Sequence, residues 1–132
     1  MHTSFGNAAR LAAVCMLFAA SGFALAAASQ PFDAGAFKAA QAAGKPIVVE
    51  IHADWCPECK AQNRVLDKLT DEPRYSRLVR LRIDYDKQKD LVRQFKARMQ
   101  STLVVYKGSQ ELARAVGITS EDKIRALVDK AI

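Results

Sequence analysis

Apolar and polar positions along the chain change period repeatedly, and each change marks an element. From Phe32 to Ala43, residues Phe32, Ala36, Phe37 and Ala40 recur at helical spacing, and Gly44 follows as a stop signal. Pro46 to His52 (PIVVEIH) is a nearly continuous β-branched run of strand length, the pattern of a central strand covered on both faces. From Pro57 to about Thr70, residues Ala61, Val65, Leu66 and Leu69 line one face of a helix. Leu78 to Tyr85 (LVRLRIDY) alternates Leu or Val with Arg, as a strand with one wetter face would. Lys87 to Ala97 carries Leu91, Val92 and Phe95 at helical spacing, and Thr102 to Tyr106 (TLVVY) reads as a further strand. Glu111 to Val116 pairs with it across a turn around Lys107 to Gln110. Thr119 with Asp122 three residues on resembles a capping box, opening a last helix with Ile124, Leu127, Val128 and Ala131 inward.

Strands joined through helices are expected to be parallel, and the last two, joined by a tight turn, antiparallel. The order therefore predicts an α/β fold, a mixed sheet of about four strands with helices on both faces. Chemistry in such a sheet belongs at the carboxyl end of a central strand, where the next helix begins, and Cys56 and Cys59 fall there. A chain of 132 residues allows one such domain with an appendage and excludes a multidomain enzyme.

The appendage is the amino-terminal 28 residues. Its only formal charge is Arg10, and Leu11 to Ala28 is an uncharged stretch of 18 residues, with small residues at Ala24 and Ala26 in the pattern a signal peptidase reads. This predicts a secretory signal peptide cut after Ala26 or Ala28, leaving residues 29–132 as a periplasmic domain. An uncleaved anchor is the rival, since a spanning helix needs roughly 17 to 25 residues, and only then would the domain be membrane-bound. Cys15 belongs to the apolar segment and is set apart from the chemistry.

With 20 Lys and Arg against 14 Asp and Glu the chain is formally +6. The basic residues are dispersed and interleaved with acids, so a nucleic-acid groove is not expected and most of these charges are solvated faces. The two remaining cysteines are separated by only two residues, too close to constrain much of the unfolded chain, so they are placed for exchange and not for stapling. In WCPECK, Cys56 lies at a helix cap, where unpaired N–H groups and the helix dipole stabilise a thiolate. Cys56 is the expected nucleophile, and Cys59, one turn on and on the same face, the resolving thiol. Pro57 fits the first turn; Glu58 suits the helix dipole but opposes a thiolate, so the net effect on Cys56 stays open.

The stretch GKPIVVEIHADWCPECK resembles the thioredoxin-like family, most of all its exported bacterial branch, which includes the carboxy-terminal domain of the thiol-disulfide interchange protein. The likeness runs from about Phe32 to Ile132 and takes in DEP at Asp71 to Pro73 and VGITSEDKI near the end. It implies the three-layer thioredoxin-like fold, thiol-disulfide exchange through a Cys56–Cys59 disulfide, protein thiols and disulfides as partners, and no bound cofactor. A membrane electron donor would be a natural further partner, and the domain is expected to be a monomer. The resemblance puts Trp55 beside the nucleophile in contact with substrate, and maps the family's buried acid to Glu50. Burial would favour the protonated form of that carboxyl and suit it to take the proton from Cys59; a strand-end Glu that reaches water or pairs with a Lys is the other reading.

The family's cis-proline loop, which faces the cysteines and pairs with substrate backbone, maps to Ser101 and Thr102. A non-proline cis bond costs roughly 2.5 to 4 kcal/mol, so the peptide before Ser101 is expected to be trans. Loss of that proline reopens metal binding, with His52 joining Cys56 and Cys59 as ligands of a soft ion. Against that, His52 is read first as a strand residue, and three ligands are too few for structural zinc. A thioredoxin-fold binding module for a metal ion or a partner protein is thus the alternative to an oxidoreductase.

Overall fold

The computed structural model describes residues 28–132. The expected signal segment and its cleavage sites at Ala26 and Ala28 fall outside or at the edge of that range. In chain order the elements are β1 (Gln30–Pro31), α1 (Ala34–Ala42), β2 (Pro46–His52), α2 (Pro57–Thr70), β3 (Val79–Asp84), α3 (Lys89–Gln94), β4 (Thr102–Lys107), β5 (Gln110–Val116) and α4 (Glu121–Val128), with short 3₁₀ turns at Pro73–Tyr75 and Asp129–Ala131. The strands form one mixed sheet in the order β1-β3-β2-β4-β5.

The α/β layering is as the pattern predicts, with three differences. The sheet has five strands, because the two residues of β1 add to the edge beside β3; no periodicity can signal a strand that short. The strands β3 and β4, though joined through α3, are not parallel: β2 pairs parallel with β3 and antiparallel with β4. A helix of six residues rises about 9 Å, half the length of the strands it would have to span, so the chain enters β4 from the same end at which it left β3. Finally, Ser120 and not Thr119 caps α4, and it does so without a side-chain hydrogen bond. At α1, Phe32 lies ahead of the helix and the Asp33 carboxylate accepts the Ala36 N–H at 2.7 Å.

β2 is buried along almost its whole length, as its unbroken apolar run requires. Its side chains alternate between two cores. Val48 faces Leu66, Leu69, Leu103 and Ile124 beneath α2 and α4. Ile47, Val49 and Ile51 face Leu81, Ile83, Val92 and Phe95 on the α1 and α3 side, where Phe37, Phe95 and Tyr106 meet edge to face. Among the described residues no helix is long and apolar enough to cross a membrane.

Surface ion pairs tie α4 to α2 and to the turn after it. Arg125 donates to both oxygens of Glu72 at 2.7 and 2.8 Å, and Lys68 to Glu121 at 2.7 Å. The Arg125 hydrogen bond holds the Glu72 carboxyl below its ordinary 4.5, and the Lys68 and Arg125 bonds do the same for Glu121. A carboxyl depressed in the folded state stabilises above its unfolded pKa and loses that contribution as pH falls through the folded value. The urea midpoint should therefore fall as pH is lowered below the ordinary carboxylate range, and Arg125→Gln should flatten that dependence; an unchanged slope in the variant would remove these pairs from the account.

Candidate active site

β2 carries the chain to the edge of the sheet, and a tight turn, closed by the Cys56 N–H on the Ala53 carbonyl at 3.1 Å, hands it to α2. Cys56 is the N-cap of that helix in extended backbone (φ −83°, ψ 113°), with Pro57 in the first turn where its missing N–H costs nothing. The Cys56 Sγ takes the place of a capping oxygen and accepts the Cys59 N–H at 3.1 Å. Cys56 and Cys59 form a disulfide across 5.3 Å between their Cα atoms. Both are buried, Cys56 at 0% and Cys59 at 3% exposure, in a small cluster with Ala53 against which Tyr85 packs.

Two influences on Cys56 oppose each other here. The Cys59 N–H and the positive end of the α2 dipole act on Sγ, which favours negative charge there once the disulfide is opened. The Glu58 carboxylate, 3.7 Å from the same sulfur, disfavours it. The Cys59 sulfur stands 3.9 Å from the Ile51 carbonyl.

Trp55 is 59% exposed beside the disulfide, and its indole N–H donates to Asp86 at 2.8 Å. The loop that presents Asp86 is itself built: the Asp84 carboxylate accepts the backbone N–H groups of Lys87 and Asp86, both at 2.9 Å, and these bonds hold its carboxyl below the ordinary range. In sequence Asp84 only closes a strand, and nothing in DYDK signals that Asp86 reaches back to Trp55.

Glu50 differs from expectation in its surroundings. It is buried, and Arg80 Nε donates to its Oε1 at 2.7 Å while Arg82 stands 3.4 Å from Oε2. Neither oxygen hydrogen-bonds Cys56 or Cys59; the carboxylate is buried and held by two arginines, and so neither reaches water nor pairs with a Lys. The same face of β3, expected to be wet, holds Arg80 at 0% exposure. Strand register sets Arg80 beside Val48 and Arg82 beside Glu50, and α2 covers them, with Asp67 accepting from Arg80 at 2.6 Å and Asn63 from Arg80 and Arg82 at 2.9 and 2.6 Å. Paired arginines on a strand read as solvated in sequence; their match to Asn63 and Asp67, four residues apart on α2, is visible only once the strands are in register.

Ser101 and Thr102, expected on the substrate platform, are buried at 4% and 2% exposure. The chain has no cis peptide bond among the described residues, and Ser101 adopts φ 58°. Its backbone is consumed within the fold: its N–H donates to Ile51, and its carbonyl accepts Gly117 N–H at 2.9 Å and Gln62 Nε2 at 2.9 Å. Gln62 also donates to Ile118 at 3.0 Å and so ties α2 to both loops beside the disulfide. The part of this loop that faces out is Arg98 to Gln100, with Met99 52% exposed.

His52 does not join the cysteines. Its ring lies 3.2 Å from Asp54, and no three of His, Cys, Asp or Glu are grouped to hold a metal ion among the described residues. The set Cys56, Cys59 and His52 is therefore not assembled.

Comparison with known proteins agrees with this geometry. The thioredoxin family profile matches residues 29–130. The chain is 30% identical over 87 residues to mouse (Mus musculus) mitochondrial thioredoxin, a match covering 66% of this chain and 52% of the mouse protein, so it spans about half the length of that relative. It is 31% identical to the thioredoxin of Chlamydia muridarum over 64% of this chain and 80% of that protein. Among solved structures, Trxlp from Edwardsiella tarda EIB202 superposes with a TM-score of 0.68 at 40% identity, covering 76% of this chain and 95% of that one. With a profile match across nearly all the described residues and a cysteine pair at the head of α2, the chain belongs to the thioredoxin family.

Proposed function

We propose that this protein is an exported thiol-disulfide oxidoreductase that exchanges electrons with protein thiols and disulfides in the periplasm. The observation that carries the reading is the Cys56–Cys59 disulfide with Cys56 as the cap of α2. In the reducing direction the Cys56 thiolate attacks one sulfur of a substrate disulfide. A mixed disulfide forms and the first substrate thiolate leaves. Cys59, deprotonated, then attacks the Cys56 sulfur; the Cys56–Cys59 bond re-forms and the second substrate thiolate departs. Two electrons pass to the substrate and the domain ends oxidised; run backward, the same steps oxidise a dithiol. Export rests on the uncharged stretch from Leu11 to Ala28 and the small residues Ala24 and Ala26. Trp55, held by Asp86 at the rim, is the first side chain an approaching partner meets. A membrane donor would recharge a reductant of this kind.

The test is the reduction potential of the purified chain, equilibrated in defined thiol and disulfide buffers with free thiols trapped. A reversible two-electron transition on the order of −270 to −120 mV, the span of thioredoxin-fold exchangers, is expected. A pair that does not cycle would sink the reading. Fractionation of cells with mass measurement of the released protein checks export separately, a cut at Ala26 or Ala28 being the expected result.

A further inference from the structure

An open groove of about 320 Å³ lies between the segment after α3 and the edge strand β5, with Thr102, next to Ser101, in its wall. Its floor is almost wholly apolar, with Ala97 between Met99 and Val116, which are 52% and 51% exposed. Its rim is basic: Lys96, Arg98 and Arg114.

The three cations are not equivalent. Arg114 is spent on the fold. It makes a two-pronged pair with Glu111 at 2.6 and 2.9 Å, and its remaining nitrogen donates to the carbonyls of Phe95 and Lys96 at 3.1 and 3.3 Å. Those bonds clamp a turn in which Lys96 sits at φ 53°, a left-handed conformation disfavoured for a residue that carries a side chain. Lys96 and Arg98 are exposed, and among the described residues neither makes an ion pair. Glu111 is already engaged by Arg114, and Lys96 acts on it only through space. The result is an apolar floor flanked by two exposed cations outside any ion pair among the described residues, displayed by a backbone that is held out of its relaxed conformation. Around Trp55 and Cys56 the charges are mixed instead: Asp54, Glu58 and Asp86 stand with Lys60 and with Lys89, which lies 3.8 Å over the Tyr85 ring.

We propose that this groove selects the partner: it takes a segment of a substrate protein that presents an apolar side chain to Met99 and Val116 and carboxylates to Lys96 and Arg98. The inference rests on the exchange reading above, since it assigns the polarity of the substrate around the attacked cysteine. The Ser101 loop connects the two places, its N–H bonded to Ile51, whose carbonyl faces the Cys59 sulfur. A partner seated in the groove is thereby brought toward the disulfide, and its carboxylates fix its placement against Lys96 and Arg98, where cations would be repelled.

The test uses the oxidised full chain and fluorescent peptides in which serine replaces the reactive cysteine, each with one leucine flanked by three Glu, three Gln or three Lys. Fluorescence anisotropy should give the Glu peptide about five- to tenfold tighter binding than the Gln peptide at low salt, as two exposed charge pairs would, with the Lys peptide weakest and the gap closing in high salt. The double variant Lys96→Gln/Arg98→Gln should erase the gap, while Met99→Ser should weaken the Glu and Gln peptides alike. Lys123→Gln/Lys130→Gln, which removes the same charge from α4 and the 3₁₀ turn after it, should leave the gap intact. Equal binding of Glu and Gln peptides, a gap that survives the first double variant, or one that vanishes in the second would each overturn the proposal. The reduction potential of the wild-type chain, measured at equilibrium as above, reports the exchange reading by itself, so failure there and failure of peptide selection are told apart.

Discussion

Arg80→Met is expected to lower the unfolding free energy by about 3–5 kcal/mol, the cost of leaving one member of a buried ion pair without its partner. Arg80 is fully buried and serves three acceptors at once: Glu50, Asp67 and Asn63. Burial opposes its charge, but Glu50 and Asp67 more than offset this and push its pKa above the ordinary guanidinium value. Removing it leaves the Glu50 carboxylate facing Arg82 alone, at 3.4 Å. Arg80→Lys should fall between, because an ammonium cannot reach three acceptors spread across a planar fork. The double variant Arg80→Met/Glu50→Leu should recover most of the loss, since a buried pair replaced by apolar side chains is often near neutral. Urea denaturation of the four proteins decides it. A loss under about 1 kcal/mol in Arg80→Met would mean that water or a neighbour already compensates Glu50, and the cluster would cease to be a structural keystone.

The second large effect concerns the order of attack. Cys56→Ser should reduce exchange with a protein disulfide to background, because no nucleophile remains at the head of α2. Cys59→Ser should instead accumulate the mixed disulfide on Cys56, because the first substitution proceeds and the second lacks its thiolate. Non-reducing gels with mass analysis of the trapped species separate the two. If the mixed disulfide accumulated in Cys56→Ser and not in Cys59→Ser, the roles would be reversed; if turnover persisted in either variant, the pair would not be the reacting centre.

What the sequence reveals depends on how local the physics is. PIVVEIH and WCPECK specify β2, its burial and the placement of the cysteines, because an unbroken β-branched run and a proline-marked helix start are each decided within a few residues. The direction of β4 is decided by the length of α3 against the length of a strand, a comparison that a periodicity with generous ends obscures. Arg80 defeats the pattern because alternating arginines suit a wet face, and only the partners on α2 and β2 make burial tolerable. For Ser101 the family resemblance locates the loop and chemistry argues for a trans bond, yet no local signal says that its backbone groups are already committed to Ile51, Gln62 and Gly117. Gln62, Asp86 and Arg114 act through distant partners and carry no local signature.

The burial of Cys56 at 0% exposure has a kinetic consequence. A small thiol diffusing past the closed domain finds no sulfur to attack, so its reaction waits on a transient local opening. Every 1.4 kcal/mol or so of opening cost slows that background about tenfold. A macromolecule whose contacts lift Tyr85 or Trp55 aside lowers the same barrier with its own binding energy. The disulfide is in this sense insulated from the bulk thiol pool of its compartment, and its oxidation state follows whichever protein holds the key.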